Sequence, residues 1–189
     1  MPLHAQTATG PIDQIDKLIG EGAYRDAVGL CAREHGASIG RLCMAMLGSQ
    51  AEAEETAQET LLAAHDAMAS YRGEGSVRAW LFGIARRMCA RRLERRVRQD
   101  RRLRLVHDAS ADAGMPDDQV EARRNARVVR DALEQLKPSE RDALLLRYDG
   151  GLSYREIGEA TGLDEATARK RASRGLCRLR EILKQEGIR

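Results

Sequence analysis

Residues 153–183, "SYREIGEATGLDEATARKRASRGLCRLREIL", open two helices in quick succession and part them with a glycine. Ser153-Tyr154-Arg155-Glu156 reads as a capping box, in which the serine hydroxyl and the glutamate carboxylate close each other's exposed amides. The short helix it starts buries Ile157 and Ala160. Gly162 supplies the left-handed conformation that a sharp turn requires. Asp164 then caps a longer helix whose apolar stripe is Ala168, Ala172, Leu176, Leu179 and Leu183. Two helices joined by such a turn describe a helix-turn-helix, whose second helix enters the DNA major groove. Its exposed side carries Arg169, Lys170, Arg171, Ser173, Arg174 and Arg178. Arginine can bond a guanine edge in bidentate fashion, and the other donors can hold phosphates.

The rest of the chain fits an all-α fold. Aromatic residues make up 3% of its 189 residues, and Ala, Leu, Arg and Glu dominate, so Leu, Ile, Ala, Val and Met must build the cores. Ile39, Leu42, Cys43, Met46 and Leu47 fall on one helical face that Gly48 ends. Ser49-Gln50-Ala51-Glu52 opens a helix expected to bury Ala57, Leu61, Ala64 and Met68 while exposing glutamates. After the glycine-containing loop "YRGEGS" comes the longest stripe: Val77, Trp80, Leu81, Ile84, Ala85, Met88, Cys89 and Leu93. Trp80 is read there as a core residue. This first domain closes near Arg96. Residues 97–119 lose periodicity and read as a flexible linker with a reach of about 24–29 Å. A further domain, 120–185, begins with a helix of Val129, Ala132, Leu133 and Leu136 that Pro138 ends. Ser139-x-x-Asp142 opens the next, with Leu144, Leu145 and Tyr148 inside.

A net charge of +3 conceals segregation. Residues 86–104 hold ten arginines against Glu94 and Asp100, whereas residues 52–59 hold Glu52, Glu54, Glu55 and Glu59 with no basic residue. Opposite blocks point to several charged partners. No uninterrupted run of about 18 apolar residues suits a membrane span. The N-terminus "MPLHAQTATGP" lacks the pattern of a secretory signal, so the cytoplasm is expected. Cys31, Cys43, Cys89 and Cys177 form no Cys-x-x-Cys pair and read as reduced thiols. Cys31, His35 and Cys43 could meet around a metal only with a further ligand, so no metal site is assigned. A P-loop and an ordered nucleophile–base set are both missing, so neither catalysis nor a cofactor is expected.

Three blocks in order, "AEAEETAQETLLAAHDAM", "YRGEGSVRAWLFGIARRMCARRLERR" and "LEQLKPSERDALLLRYDGGLSYREIGEATGLDEATARKRASRGLCRLREIL", resemble the extracytoplasmic-function (ECF, group 4) sigma factors of the sigma-70 family. The resemblance implies a region 2 domain over 12–96, which binds core RNA polymerase and the −10 element. It also implies a region 4 domain over 120–185, which binds the −35 element. Core binding, through the β′ clamp helices with the β subunit as a further contact, would fall on Glu54, Glu55, Gln58 and Glu59. The −10 element would meet Tyr71, Arg72, Gly73, Glu74, Gly75 and Ser76, with Arg86, Arg87, Arg91 and Arg92 on phosphates. Promoter DNA and an anti-sigma protein are the other implied partners. The chain departs from many relatives at Arg87, where they carry asparagine, and in "TARKR", where they carry "TVKSR". The alternative is a stand-alone helix-turn-helix regulator with an N-terminal dimerisation or sensing domain. Such a regulator has no need of the acidic helix beside "WLFGIARRMCARR".

Overall fold

A computed structural model describes residues 11–104 and 128–186. Among these residues the chain is all-α in two domains, with no strand. No described helix is long and apolar enough to cross a membrane.

The first domain comprises α1 (Pro11–Gly20), α2 (Tyr24–Leu47), α3 (Gln50–Ala67), a short 3₁₀ turn (Met68–Ser70) and α4 (Val77–Arg104). The backbone turns between α1 and α2 at Gly22, where φ is +74°. Helix α2 stops at Gly48, whose amide donates to the Met44 carbonyl from a left-handed conformation. Ser49 then caps α3 by accepting the Glu52 amide. Ile15, Leu30, Ile39, Leu42, Met68 and Leu81 form the middle of this domain's core.

Helix α3 is rotated slightly from its expected setting. It buries Ala53, Thr56, Thr60 and Ala64 fully, while Ala57 and Leu61 are half-buried. The Thr60 hydroxyl is satisfied by donating back to the Thr56 carbonyl at 2.7 Å, whereas the buried Thr56 hydroxyl has no hydrogen-bond partner among the described residues. Helix α4 runs on to Arg104, eight residues into the segment expected to be linker. Residues 105–119 of that segment lie outside the described residues.

The second domain contains α5 (described over 128–134), α6 (Pro138–Tyr148), α7 (Tyr154–Thr161) and α8 (Glu165–Gln185). Pro138 does not merely end the preceding helix. It is the first residue of α6, where its missing amide costs nothing and its fixed φ suits the helix. The expected Ser139-x-x-Asp142 cap therefore does not form, and Asp142 is spent elsewhere. Tyr148, expected inside, is 63% exposed, because the buried face of α6 runs through Glu140 and Ala143–Leu146. In α8 the fully buried positions are Ala168, Ala172 and Gly175; Leu176, Leu179 and Leu183 are half-buried. A β-carbon at Gly175 would stand 3.0 Å from Leu144 Cδ1, so glycine there sets how closely α8 lies on α6.

The two domains touch along α4 and α7. Every residue from Leu81 to Ala85 is buried, so this stretch of α4 is covered all round rather than along one stripe. Phe82 faces the second domain. Its ring is fully buried against Gly150, where a β-carbon would come within 2.8 Å of Cε1. Burying such a side chain is worth about 1.5–3 kcal/mol.

Candidate nucleic-acid interface

The helix-turn-helix forms as its sequence requires. The Ser153 hydroxyl accepts the Glu156 amide at 3.2 Å, and the Glu156 carboxylate accepts the Ser153 amide at 2.8 Å. Gly162 takes φ +71° and donates its amide to the Gly158 carbonyl. Gly158 is needed for a different reason: a β-carbon there would lie 2.5 Å from the Leu163 carbonyl oxygen. Asp164 caps α8 by accepting from the Thr167 amide at 2.8 Å and hydroxyl at 2.7 Å, and these bonds hold its carboxyl below the ordinary aspartate range.

On α8 the expected reading residues do not all stand alike. Arg169, Lys170, Ser173 and Arg174 are exposed on the side away from Ala168 and Ala172, and Arg171 is half-buried. Arg169 pairs with Glu165 at 2.5 Å and lies over the Tyr154 ring at 5.3 Å, with Arg147 over the same ring at 4.9 Å. The ring and the Glu165 carboxylate orient the long Arg169 side chain without hiding it. Arg178 faces inward enough to reach Glu140 at 3.5 Å, whose side chain is only 9% exposed. Arg178 is therefore tied to a buried carboxylate within its own domain.

The loop before α4 forms a small cavity of about 230 Å³, lined by Tyr71, Arg72, Glu74, Ser76, Trp80 and Glu159 among others. Gly73 and Gly75 take positive φ, and the Tyr71 hydroxyl closes the loop by donating to the Gly75 carbonyl at 2.7 Å. The Tyr71 phenol is pushed up to about 12, chiefly by burial, with Asp16 and Glu159 adding. Trp80 is half-buried. It packs on the core and at the same time meets the Tyr71 ring at 5.1 Å along the cavity wall.

The remaining arginines of α4 divide by partner. Arg86 donates to Asp142 of the second domain at 2.9 Å. Arg92 donates to Glu55 at 2.5 Å and Glu59 at 3.2 Å, and Arg96 pairs with Glu52. Arg87 and Arg91 are exposed, and burial with the neighbouring Arg86 and Arg91 charges lowers the Arg87 guanidinium. On α3, Glu54, Glu55 and Gln58 are exposed and Glu59 is half-buried. Residues expected to bind polymerase and residues expected to bind DNA are thus in part bonded to each other.

Sequence patterning missed the groups that join the domains. Arg78 donates to Glu156 at 3.2 Å and to the Gly150 and Gly151 carbonyls at 2.9 and 3.0 Å. The Ser76 amide donates to Glu159 Oε2 at 2.9 Å. Burial alone would raise the Glu156 carboxyl, but the Ser153 hydrogen bonds and Arg78 hold it low. The signal that could have found this contact is Phe82, an apolar residue off the stripe that covers the first domain.

Among the described residues no three His, Cys, Asp or Glu converge as a metal site. Cys31 is buried and its thiol is pushed up to about 11 by that burial. Cys43 lies against Cys89, and this contact, together with burial, raises the Cys89 thiol. His35 is buried, and burial first and then the Arg78 charge hold its imidazole below the ordinary value.

Comparison with known proteins follows the same division. The family described as sigma-70 region 2 matches residues 31–99, and that described as sigma-70, region 4 matches residues 126–179. The ECF RNA polymerase sigma factor SigL of Mycobacterium tuberculosis is 31% identical over 161 residues, covering 82% of this chain and 88% of its own. The RNA polymerase sigma factor CarQ of Myxococcus xanthus is 33% identical over 138 residues, covering 73% and 78%. Among solved structures, the sigma factor RpoE in complex with the anti-sigma factor NepR, from Bartonella quintana, superposes with a TM-score of 0.60 at 25% identity. That match covers 81% of this chain and 94% of RpoE.

Proposed function

This chain belongs to the ECF sigma factors of the sigma-70 family, RNA polymerase sigma factors that direct the core enzyme to promoters, and on that premise we propose how its residues divide the work. The observation that carries the reading is the exposed basic face of α8, set by the Asp164 cap and backed by Ala168 and Ala172. Lys170, Ser173 and Arg174 meet base edges and phosphates of the −35 element, with Arg169 oriented beside them by Glu165 and Tyr154. Arg171 and Arg178 support that face, Arg178 through its ion pair with Glu140 at 3.5 Å. The Tyr71–Ser76 loop and its cavity take an unpaired base of the −10 element. Arg87 and Arg91 hold the backbone of the opened strand, and Arg86 and Arg92 join them on release from Asp142 and from Glu55 and Glu59.

Core RNA polymerase docks on α3 through Glu54, Glu55, Gln58 and Glu59, against the β′ clamp helices. Region 2 begins near residue 12 and carries α4 on past 96 to Arg104, and region 4 extends over 120–185, with the segment between them joining the two. The protein works in the cytoplasm, where its polymerase is, and performs no bond chemistry of its own. An anti-sigma protein is its third partner, as NepR is for RpoE.

Run-off transcription with purified core enzyme tests the reading. Adding the wild-type chain gives promoter-specific transcripts, and Arg174→Ala lowers them at that promoter. Specific DNA binding without any added initiation would instead support a stand-alone regulator.

A further inference from the structure

We propose that Glu165 is a specificity-determining residue of the −35 interface: it holds Arg169 for a base edge and withholds it from phosphates. The inference rests on the assignment of the exposed face of α8 to the −35 element. Among the basic side chains at the start of that face, Arg169 stands apart. Lys170 and Arg174 are exposed and make no ion pair among the described residues. Arg169 Nη2 donates to Glu165 Oε1 at 2.5 Å, one turn back along the helix. Its Cζ also lies 5.3 Å from the centre of the Tyr154 ring.

Tyr154 is a fixed support. It is the first residue of α7, half-buried, and directly follows the Ser153 cap. Arg147 Cζ lies 4.9 Å from the same ring centre, and Arg147 Nη1 donates to the Leu152 carbonyl at 2.8 Å. The direction of Arg169 is thus set from α8 by a carboxylate and from α7 by an aromatic face.

Helix stability alone does not account for Glu165. An acidic residue in the first turn ordinarily serves the exposed amides and the helix dipole. Here Asp164 takes the amide, accepting from Thr167 at 2.8 Å, while the Glu165 carboxylate turns to Arg169. The two side chains are 48% and 59% exposed, and such a pair one turn apart adds little to folding. On DNA the same carboxylate opposes binding, because it repels phosphates. A group that adds little to the fold and opposes general binding serves discrimination.

The chemistry follows from the guanidinium. Anchored through one nitrogen and laid on a ring, it can still offer its other donors to a guanine edge. A phosphate outside that direction is reached only by leaving both supports. As a unit the pair is neutral, so on a wrong sequence it releases no counterion, where Lys170 and Arg174 still do.

The test uses two readouts. Enrichment from a duplex pool of random sequence, by the full chain with core polymerase, reads base preference. Salt dependence of binding to a random-sequence duplex, by the full chain alone, reads phosphate contacts. Wild type is compared with Arg169→Ala, Glu165→Ala, Glu165→Gln and Glu134→Gln, the last removing an exposed carboxylate of α5. Arg169→Ala is expected to lose a guanine preference at one −35 position and keep the others. Glu165→Ala should lose the same preference, yet bind the random duplex about three- to tenfold more tightly, with a salt slope steeper by about 0.9. Glu165→Gln still offers Arg169 an acceptor, so it should keep part of the preference and show the steeper slope. Glu134→Gln should match wild type in both. A helix merely loosened at its start would bind every sequence more weakly, and that outcome for Glu165→Ala overturns the proposal. So does a Glu165→Ala chain that keeps the guanine preference and the wild-type slope; the −35 assignment then stands without it. If wild type enriches no −35 sequence, the assignment of α8 itself falls, and this role with it.

Discussion

Gly83 and Ala160 meet backbone to backbone: a β-carbon at Gly83 would stand 3.0 Å from the Ala160 carbonyl oxygen. A carbonyl inside a helix cannot swing aside as a side-chain tip can, so the spacing of α4 and α7 depends on having no side chain at 83. Glycine in a helix interior costs about 1 kcal/mol relative to alanine, so a larger residue would favour α4 while obstructing the contact.

Gly83→Leu should therefore part the domains without unfolding them. Helical circular dichroism should be kept or slightly raised, while the radius of gyration measured by small-angle scattering increases. A variant with unchanged radius would mean that the two helices can slide to a new packing, and that Gly83 does not set the contact.

The acidic helix offers a separable prediction. Glu54 is exposed and accepts from Gln50 at 2.5 Å, one turn before it, so Glu54→Lys should change stability by less than about 0.5 kcal/mol. Affinity for core polymerase should fall. Glu55→Lys should weaken core binding too, but it also places a cation beside Arg92, whose guanidinium Glu55 now raises. Its melting temperature should drop where that of Glu54→Lys does not. Surface binding to immobilised core enzyme and a thermal melt of each variant decide the point; full affinity in both would remove α3 from the polymerase contact.

Arg174 and Arg178 are one turn apart, and the structure gives them different work. Arg174→Ala should leave the fold intact and cost about 1–3 kcal/mol of discrimination between −35 sequences, if it makes a bidentate base contact. Arg178→Ala should lower stability where Arg174→Ala does not, because it takes the cation at 3.5 Å away from the buried Glu140 carboxylate, whose Oε2 has no hydrogen-bond donor among the described residues. Denaturant unfolding measures the second and competition binding on altered −35 duplexes the first. Equal effects of both variants on every sequence, with equal stability, would refute the division.

The helices, their caps and the helix-turn-helix were legible because local rules decide them. Ser153 with Glu156, Gly162 and Asp164 bond as their spacing dictates, with no distant partner needed. Pro138 misled because proline both ends one helix and starts another, and periodicity cannot tell which. Tyr148 was misplaced because one stripe was drawn through α6 when the buried face included Glu140. The family was legible through the three ordered blocks around the acidic helix, the "WLFGIARRMCARR" helix and the helix-turn-helix, which together resemble one family where the helix-turn-helix alone would not decide. What could not be read is the pairing of polar groups far apart in sequence. Arg86 with Asp142, Arg78 with Glu156 and Ser76 with Glu159 each join segments that patterning treats separately. An arginine that holds a neighbouring domain and one that awaits a phosphate look alike in the sequence.

His35 connects the domain contact to pH. It is 9% exposed on α2, and its imidazole is held below the ordinary value of 6.5, first by burial and then by the Arg78 charge on α4. Glu34 on its own helix and Glu156 on α7 pull the other way without prevailing. The unfolded imidazole takes its proton near 6.5, and the folded one only at lower pH. Above 6.5 both states are neutral and stability is full. As pH falls through 6.5 toward the depressed folded value, the unfolded state binds more protons and stability is lost. Protonation in the folded chain would also set a second cation beside Arg78, which bonds Glu156 and the Gly150 and Gly151 carbonyls. Unfolding midpoints measured between about pH 7 and pH 5 should therefore decline for wild type, and His35→Gln should decline less over the same range. Asp149, whose carboxyl is raised by burial against the pull of Arg41, contributes with the opposite sign and is common to both proteins, so the difference between them isolates His35. Parallel curves for the two would show that the imidazole is protonated as readily in the folded chain as outside it.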